Sequence, residues 1–447
     1  MLEWLFARFQ EAREHQAIIY HDQPYTYAWL LSEIQTWQQV LTEQKITAGN
    51  VVALEGDYSP SVVALLLSLI DRGCIIVPLT TTVEGQKPRF KQVSEVQKSF
   101  LFSAQDAWEV LSYPVQVSHP LNRQLVELGD PGLVLFSSGS TGEPKAALHN
   151  FARLLDKFKV KRFSLRTITF LLLDHIGGIN TLLYVLSNTG TIIAIEDRSP
   201  DAVCATIEKH HVELLPTSPT FLNMLLLSEG YRRYDLTSLQ RITYGTEPMP
   251  ESTLKRISQI FPNVTLQQTY GLSELGILRS KSQANDTLWV KIGGEGYETR
   301  VVDNILWIKA ESAMLGYLNA PSPFDADGWF NTGDEVEVEG EYFKILGRRS
   351  EMINIGGEKV YPAEVESMLM ELDNILDASV RGEPNPITGQ MVVAKITLAE
   401  PEDPVALRKR IRAALKDRAA AYKIPARFEI AENPLHSARY KKMRRAE

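Results

Sequence analysis

Residues 133–145 read Leu-Val-Leu-Phe-Ser-Ser-Gly-Ser-Thr-Gly-Glu-Pro-Lys. Four apolar residues of strand-forming type run into a loop of serine, glycine and threonine that ends on a cation. Polyphosphate binding asks for converging backbone N–H groups, hydroxyl donors and positive charge. Gly139 and Gly142 permit positive φ and close backbone approach, while Ser137, Ser138, Ser140 and Thr141 supply donors and Lys145 the charge. Composition alone suits an ordinary flexible Ser/Gly loop equally well. A Walker loop is excluded, because no Gly-x4-Gly-Lys-Ser/Thr is present.

Outward from this stretch, the chain from about 18 to 235 alternates short β-rich runs with helix-period runs. Strands are predicted at 51–54, 74–78, 133–136, 192–195 and 214–216, and helices at 59–71, 150–159 and 201–211. Such alternation predicts an α/β fold with parallel sheets covered by helices. Residues 1–16 read as an amphipathic helix. From 288 to 346 the pattern changes to short strands and turns, including 305–310 and 335–338, which predicts a β-rich subdomain. A segment punctuated by glycine and charge, 347–351, precedes about 100 residues of α+β pattern. Helices are expected there at 362–371 and 404–421, and a strand at 390–398. The expected organisation is a large N-terminal domain over 1–347, a connecting segment at 348–351 and a small C-terminal domain over 352–447.

Composition limits the possible functions. A formal net charge of −8 over 447 residues argues against a broad nucleic-acid footprint. Cys74 and Cys204 are too few for a disulfide framework and lack metal-ligand spacing. The longest mostly apolar run, 62–70, is far short of a membrane span, and charge at Glu3 and Arg8 breaks any signal-peptide core. A cytoplasmic protein is expected. The tail from 439 to 445 packs five cations into seven residues, which reads as a solvated terminus or as a partner for polyphosphate.

The stretch 138–145 resembles the signature loop of the acyl-adenylate-forming superfamily of acyl-CoA synthetases, adenylation domains and luciferases. Other motifs follow in that family's order. Tyr270-Gly271-Leu272-Ser273-Glu274 resembles its aromatic-Gly-x-Thr-Glu motif, which implies Tyr270 on adenine, Ser273 on the α-phosphate and Glu274 on Mg²⁺. Gly245-Thr246-Glu247-Pro248 resembles the segment lining the adenine pocket. Trp329-Phe330-x-Thr332-Gly333-Asp334 resembles the motif whose aspartate takes the ribose hydroxyls, with Arg348 as a further donor. Residues 355–366 resemble the segment that faces the site during thioester formation, so Gly356 and Gly357 would let a pantetheine arm pass. The alternative for these two is a plain turn before a Pro-initiated helix. Patterns at 25–30, 49–54 and 73–78 resemble the family's structural core. The resemblance implies ATP and Mg²⁺ as cofactors, and CoA or a carrier-protein phosphopantetheine as thiol acceptor.

Two departures stand out. The family hinge residue falls at Ser350. The family's terminal Gly-Lys-x-x-Arg is replaced by a stretch in which Lys-x-x-Arg fits twice, as Lys441 with Arg444 and Lys442 with Arg445. The resemblance implies a catalytic lysine there, placed at Lys441, acting beside Glu274 and Lys145. His175-Ile176-Gly177-Gly178 resembles the His-x-x-Gly wall of the acyl pocket, so His175 and Gly178 would meet the acid. Amino-acid-activating relatives carry an aspartate just after this histidine, where Ile176 stands here. An unpaired ammonium against that wall would cost roughly several kcal/mol. The expected substrate is a fatty or aryl acid without an α-amine, converted to acyl-AMP and then to a thioester. A non-catalytic nucleotide or acyl-AMP binder is the alternative from another class.

Overall fold

The computed structural model describes residues 1–137, 143–437 and 439–444. Two seven-stranded sheets form the body of the large domain. In the first, Val51–Glu55 lies between Ile75–Leu79 and Lys98–Phe102, with Gly132–Ser137 beyond Ile75–Leu79, all parallel. The strands read as unbroken apolar runs because both faces are covered. Val52 and Leu54 enter one core while Val51 and Ala53 enter another. The second sheet runs in parallel through Thr265–Gln268, Arg241–Tyr244, Leu214–Thr217, Arg166–Ile168, Thr191–Ile193 and Gln16–Tyr20. Helix Pro60–Arg72 is capped by Ser59, whose oxygen accepts from Val62 N–H, and its residues Val62 to Ile70 are all buried.

The sheets depart from the all-parallel expectation at their edges. Lys145–Asn150 pairs antiparallel with Gly132–Ser137 in the register Ser137↔Lys145, and Gly316–Tyr317 adds outside it. Strands Gly132–Ser137 and Lys145–Asn150 thus pair as a hairpin, and helix Phe151–Asp156 follows, shorter than the 150–159 predicted. Ala146 to Leu148 are fully buried, which suits a strand against the core. The N-terminal helix spans Glu3–Glu11 rather than 1–16. Ile18 and Ile19 suit the strand Gln16–Tyr20, which pairs with Thr191–Ile193.

The β-rich part is a six-stranded antiparallel sheet that includes Ile305–Ala310, Phe330–Glu339 and Tyr342–Arg348. After it comes a separate C-terminal domain with its own five-stranded sheet and core. Helix Pro362–Met370 buries Val365 and Leu369 there, and helix Pro404–Leu415 buries Leu407, Ile411 and Leu415. The second helix stops at Leu415 rather than 421, because the next turn, Arg418 and Ala419, offers no large apolar side chain to continue that stripe. No helix among the described residues is long and apolar enough to cross a membrane. Both cysteines are buried and reduced.

Candidate active site

The parallel register sets Thr217, Tyr244 and Gln268 side by side at the carboxyl ends of three neighbouring strands. Ligands of open α/β sheets bind beyond such ends, and a cavity of about 850 Å³ opens there. Its wall includes Ser137, Lys145, His175, Gly245, Thr246, Glu247, Pro248, Tyr270, Gly271, Ser273, Glu274, Asp334, Arg348 and Lys441. Motifs more than 300 residues apart in the chain thus meet around one space. Ser138, Gly139, Ser140, Thr141 and Gly142 lie outside the described residues.

The start of strand Lys145–Asn150 is anchored by Asn319, two residues past the neighbouring strand Gly316–Tyr317. Asn319 Oδ1 accepts from Ala146 N–H at 2.9 Å, and its Nδ2 donates to the Pro144 carbonyl at 2.9 Å. Lys145 Nζ stands 5.2 Å from the Tyr317 ring centroid, and the Tyr317 hydroxyl donates to Glu274 Oε1 at 2.5 Å. Burial and the adjacent Glu274 charge raise the Tyr317 phenol, so it stays a donor. Buried His149, on the strand after the loop, contacts the Ser273 carbonyl at 2.6 Å through Nε2. Burial pulls its pKa down to about 4, so the imidazole is neutral and Nε2–H donates. Neither Tyr317 nor His149 carries a local sequence signal. Only the pairing of strands Lys145–Asn150 and Gly316–Tyr317 reveals them.

Asp334 is buried on strand Phe330–Glu339, opposite Arg348 of strand Tyr342–Arg348. Its Oδ2 accepts from the Tyr270 hydroxyl at 2.5 Å, and Arg348 Nε stands 3.6 Å from Oδ1. Burial raises the Asp334 carboxyl against the pull of Arg348. Gly245 is required by packing, since a Cβ there would stand 2.5 Å from Thr269 Oγ1 and 2.7 Å from its carbonyl oxygen. Thr246 beside it holds φ at 75°, a strained backbone for a β-branched residue.

Glu247 lines the cavity, and both of its carboxylate oxygens are engaged by backbone N–H groups. Its Oε1 accepts from Thr220 N–H at 2.8 Å, and its Oε2 accepts from Lys442 N–H at 2.9 Å. It joins the C-terminal tail to the first turn of helix Pro219–Ser228. Among the described residues of the tail, the cations at 439, 442 and 444 are paired rather than solvated. Arg439 pairs with Asp174 at 2.8 Å, Lys442 with Asp377, and Arg444 with Glu366 at 2.8 Å. All four line the cavity, but Lys441 differs from the other three in having, among the described residues, no carboxylate within 4.0 Å of its amine. Burial pulls its pKa below the usual lysine value; Glu247 opposes the shift, while Arg439 and Arg348 add to it.

His175 caps helix Ile176–Ser187, its Nδ1 accepting from Gly177 N–H at 3.0 Å. Burial, with Lys441 and Arg439 nearby, holds it neutral. Gly178 does not reach the cavity. It packs against the preceding loop, where a Cβ would stand 1.9 Å from the Leu172 carbonyl oxygen. Asp174, one place before His175, also lines the cavity, alongside Ile176. Gly356 and Gly357 form a turn between strands Ile353–Ile355 and Glu358–Val360, with φ of 60° and 100°, away from the cavity wall.

A magnesium ion fits this wall in one respect. Mg²⁺ commonly takes one or two protein carboxylates, with phosphate and water completing its shell. Among the described residues, only one Glu274 side-chain oxygen is engaged by a donor. No group of three or more His, Cys, Asp or Glu residues that could cage a metal occurs among them.

Comparison with known proteins agrees with this arrangement. Residues 5–318 match the AMP-binding enzyme family, and residues 364–439 match the AMP-binding enzyme C-terminal domain. Indoleacetate–CoA ligase of Aromatoleum aromaticum is 26% identical, with 92% of this chain and 90% of that protein covered. 2-Succinylbenzoate–CoA ligase of Bacillus pumilus is also 26% identical, over 96% and 94%. Among solved structures, the anthranilate CoA ligase AuaEII in complex with anthranoyl-AMP superposes with a TM-score of 0.84 at 20% identity, covering 99% of this chain and 95% of that one. The chain belongs to the AMP-binding enzyme family, in its acyl-CoA synthetase branch. It is an AMP-forming acid–thiol ligase.

Proposed function

We propose that the enzyme joins a carboxylic acid without an α-amine, fatty or aryl, to CoA in two half-reactions within this cavity. A carboxylate oxygen of the acid attacks the α-phosphorus of ATP and pyrophosphate leaves. The CoA sulfur, as thiolate, then attacks the acyl carbonyl carbon and AMP leaves. The observation that carries this reading is the Lys441 ammonium, half-buried and without a carboxylate partner among the described residues, in the cavity that Glu274, Asp334 and Arg348 also line. Negative charge accumulates where carboxylate meets phosphate, and a fixed cation there lowers the barrier more than the ground state. Lys145 supports the terminal phosphates, Ser273 the α-phosphate, and Asp334 with Arg348 the ribose diol. Glu274 would hold Mg²⁺, which supplies charge neutralisation on the phosphates when bound.

Ile176 and neutral His175 wall the acid, and Asp174 is already paired with Arg439. A substrate ammonium would therefore find no unpaired carboxylate on that side. The smaller domain turns about residues 348–351 between the half-reactions and brings Gly356 and Gly357 to the thiol. Acid-dependent ATP–pyrophosphate exchange across benzoate, 2-aminobenzoate, indole-3-acetate, octanoate, palmitate and the amino acids tests this reading. Exchange is expected with an acid lacking an α-amine, followed by thioester formation on free CoA. Exchange confined to α-amino acids would overturn the substrate assignment, and thioester found only on holo-carrier proteins would replace CoA as acceptor.

A narrower test addresses the nucleotide. Asp334→Asn keeps the shape but removes the charge that accepts from the diol. The KM for ATP is expected to rise by about tenfold to a hundredfold, since hydrogen bonds to a charged group contribute about 1.5–3 kcal/mol. The KM for the acid should scarcely move. Steady-state kinetics varying each substrate in turn separates the two.

A further inference from the structure

We infer that Asp174 and Arg439 are positioning residues: their ion pair, with Ser218 and Glu247, forms a seat that holds residues 439–442 on the large domain and so delivers the Lys441 ammonium. This inference rests on the role given to Lys441 above. The lysine is fixed from both chain directions. On one side the Tyr440 carbonyl accepts from Ser218 Oγ at 2.7 Å, and the Tyr440 ring packs on Phe170 and Phe221 at 5.4 and 5.7 Å between centroids. On the other side Lys442 N–H donates to Glu247 at 2.9 Å. Arg439 supplies the charged contact, its Nη2 donating to Asp174 Oδ2 at 2.8 Å and to Thr82 Oγ1 at 3.2 Å. Thr80 Oγ1 donates to the same Asp174 oxygen at 2.9 Å.

The two partners are unequally exposed. The Asp174 side chain is 5% exposed and that of Arg439 29%, so Arg439 can leave for water while Asp174 cannot. Departure of the tail strands a buried carboxylate, which is costly. The pair therefore biases the smaller domain toward the seated position and holds Lys441 within reach of the reacting oxygens. Misplacement by about 1 Å is enough to cost on the order of a hundredfold in rate.

Hydrogen–deuterium exchange on the full chain without substrates reads the seat directly. In Arg439→Gln and Asp174→Asn, exchange across residues 437–444 is expected to quicken by about tenfold to a hundredfold, with other segments unchanged. With the acid that the exchange panel selects, both variants should lose pyrophosphate exchange yet still convert supplied acyl-AMP to thioester, a split that general damage to the fold would not produce. Lys441→Ala is the separating control, expected to lose pyrophosphate exchange with its tail as protected as in the parent. Wild-type exchange rates at 437–444 in Arg439→Gln would overturn the seat whatever the role of Lys441. Should Asp174→Asn fail to fold, the partly exposed Arg439 carries the test alone.

Discussion

Lys441→Ala is expected to lower acid-dependent ATP–pyrophosphate exchange by about 10²- to 10³-fold, the usual effect of removing one fixed donor from a developing oxyanion. The choice between the two adjacent lysines follows from their surroundings. Lys442 is committed to Asp377, its side chain 6% exposed, and its backbone N–H is committed to Glu247. Lys442→Ala should therefore act mainly on stability and on seating of the tail. Lys441 has no such commitment among the described residues, yet lines the cavity. The pH dependence adds a second readout. The reaction needs the protonated amine, and burial places its pKa below the usual lysine value. The alkaline limb of kcat/KM, which reports the free enzyme, should fall at a lower pH than an ordinary lysine gives. Lys441→Ala should abolish that limb together with the rate. An unaltered exchange rate in Lys441→Ala would remove the lysine from the mechanism.

How much of this was legible in the sequence depends on whether the signal was local. Strand Val51–Glu55 and the Ser59-capped helix declared themselves, because burial on both faces leaves an apolar run and a cap leaves a serine. The hairpin after Ser137 did not, since Lys145–Asn150 is a strand only by virtue of its neighbours Gly132–Ser137 and Gly316–Tyr317. At the site, motif residues Lys145, Tyr270, Glu274, Asp334 and Lys441 were nameable in advance and stand on one cavity wall. Glu247 was nameable too, but its partners Thr220 and Lys442 lie 27 and 195 residues away, so its place between helix and tail was not. Gly178 matched a motif position while its glycine is demanded by the Leu172 carbonyl instead. The basic tail shows the same limit: five cations in seven residues look solvated until the fold brings Asp174, Asp377 and Glu366 to three of them.

Glu366→Ala is expected to destabilise the C-terminal domain by about 3–5 kcal/mol, the cost of leaving one partner of a buried ion pair alone. Glu366 is 1% exposed and grips Arg444 with both oxygens at 2.8 Å, while Oε1 also accepts from Val380 N–H at 2.9 Å. Without it, Arg444 retains among the described residues only Glu351, itself 42% exposed, at 3.1 Å. Burial alone would raise the Glu366 carboxyl, but Arg444 reverses that and the net shift is downward. A carboxyl depressed in the fold contributes stability that is complete above its unfolded value, 4.5, and is lost as pH falls through the folded one. Urea unfolding at pH 7 should therefore show the full gap between parent and variant, and the gap should narrow as the pH falls below about 4.5. The double variant Glu366→Met/Arg444→Met should recover most of the loss, since two apolar side chains in place of a buried pair leave no stranded charge. Equal damage in the single and double variants would mean that the contribution lies in side-chain packing and not in the charges.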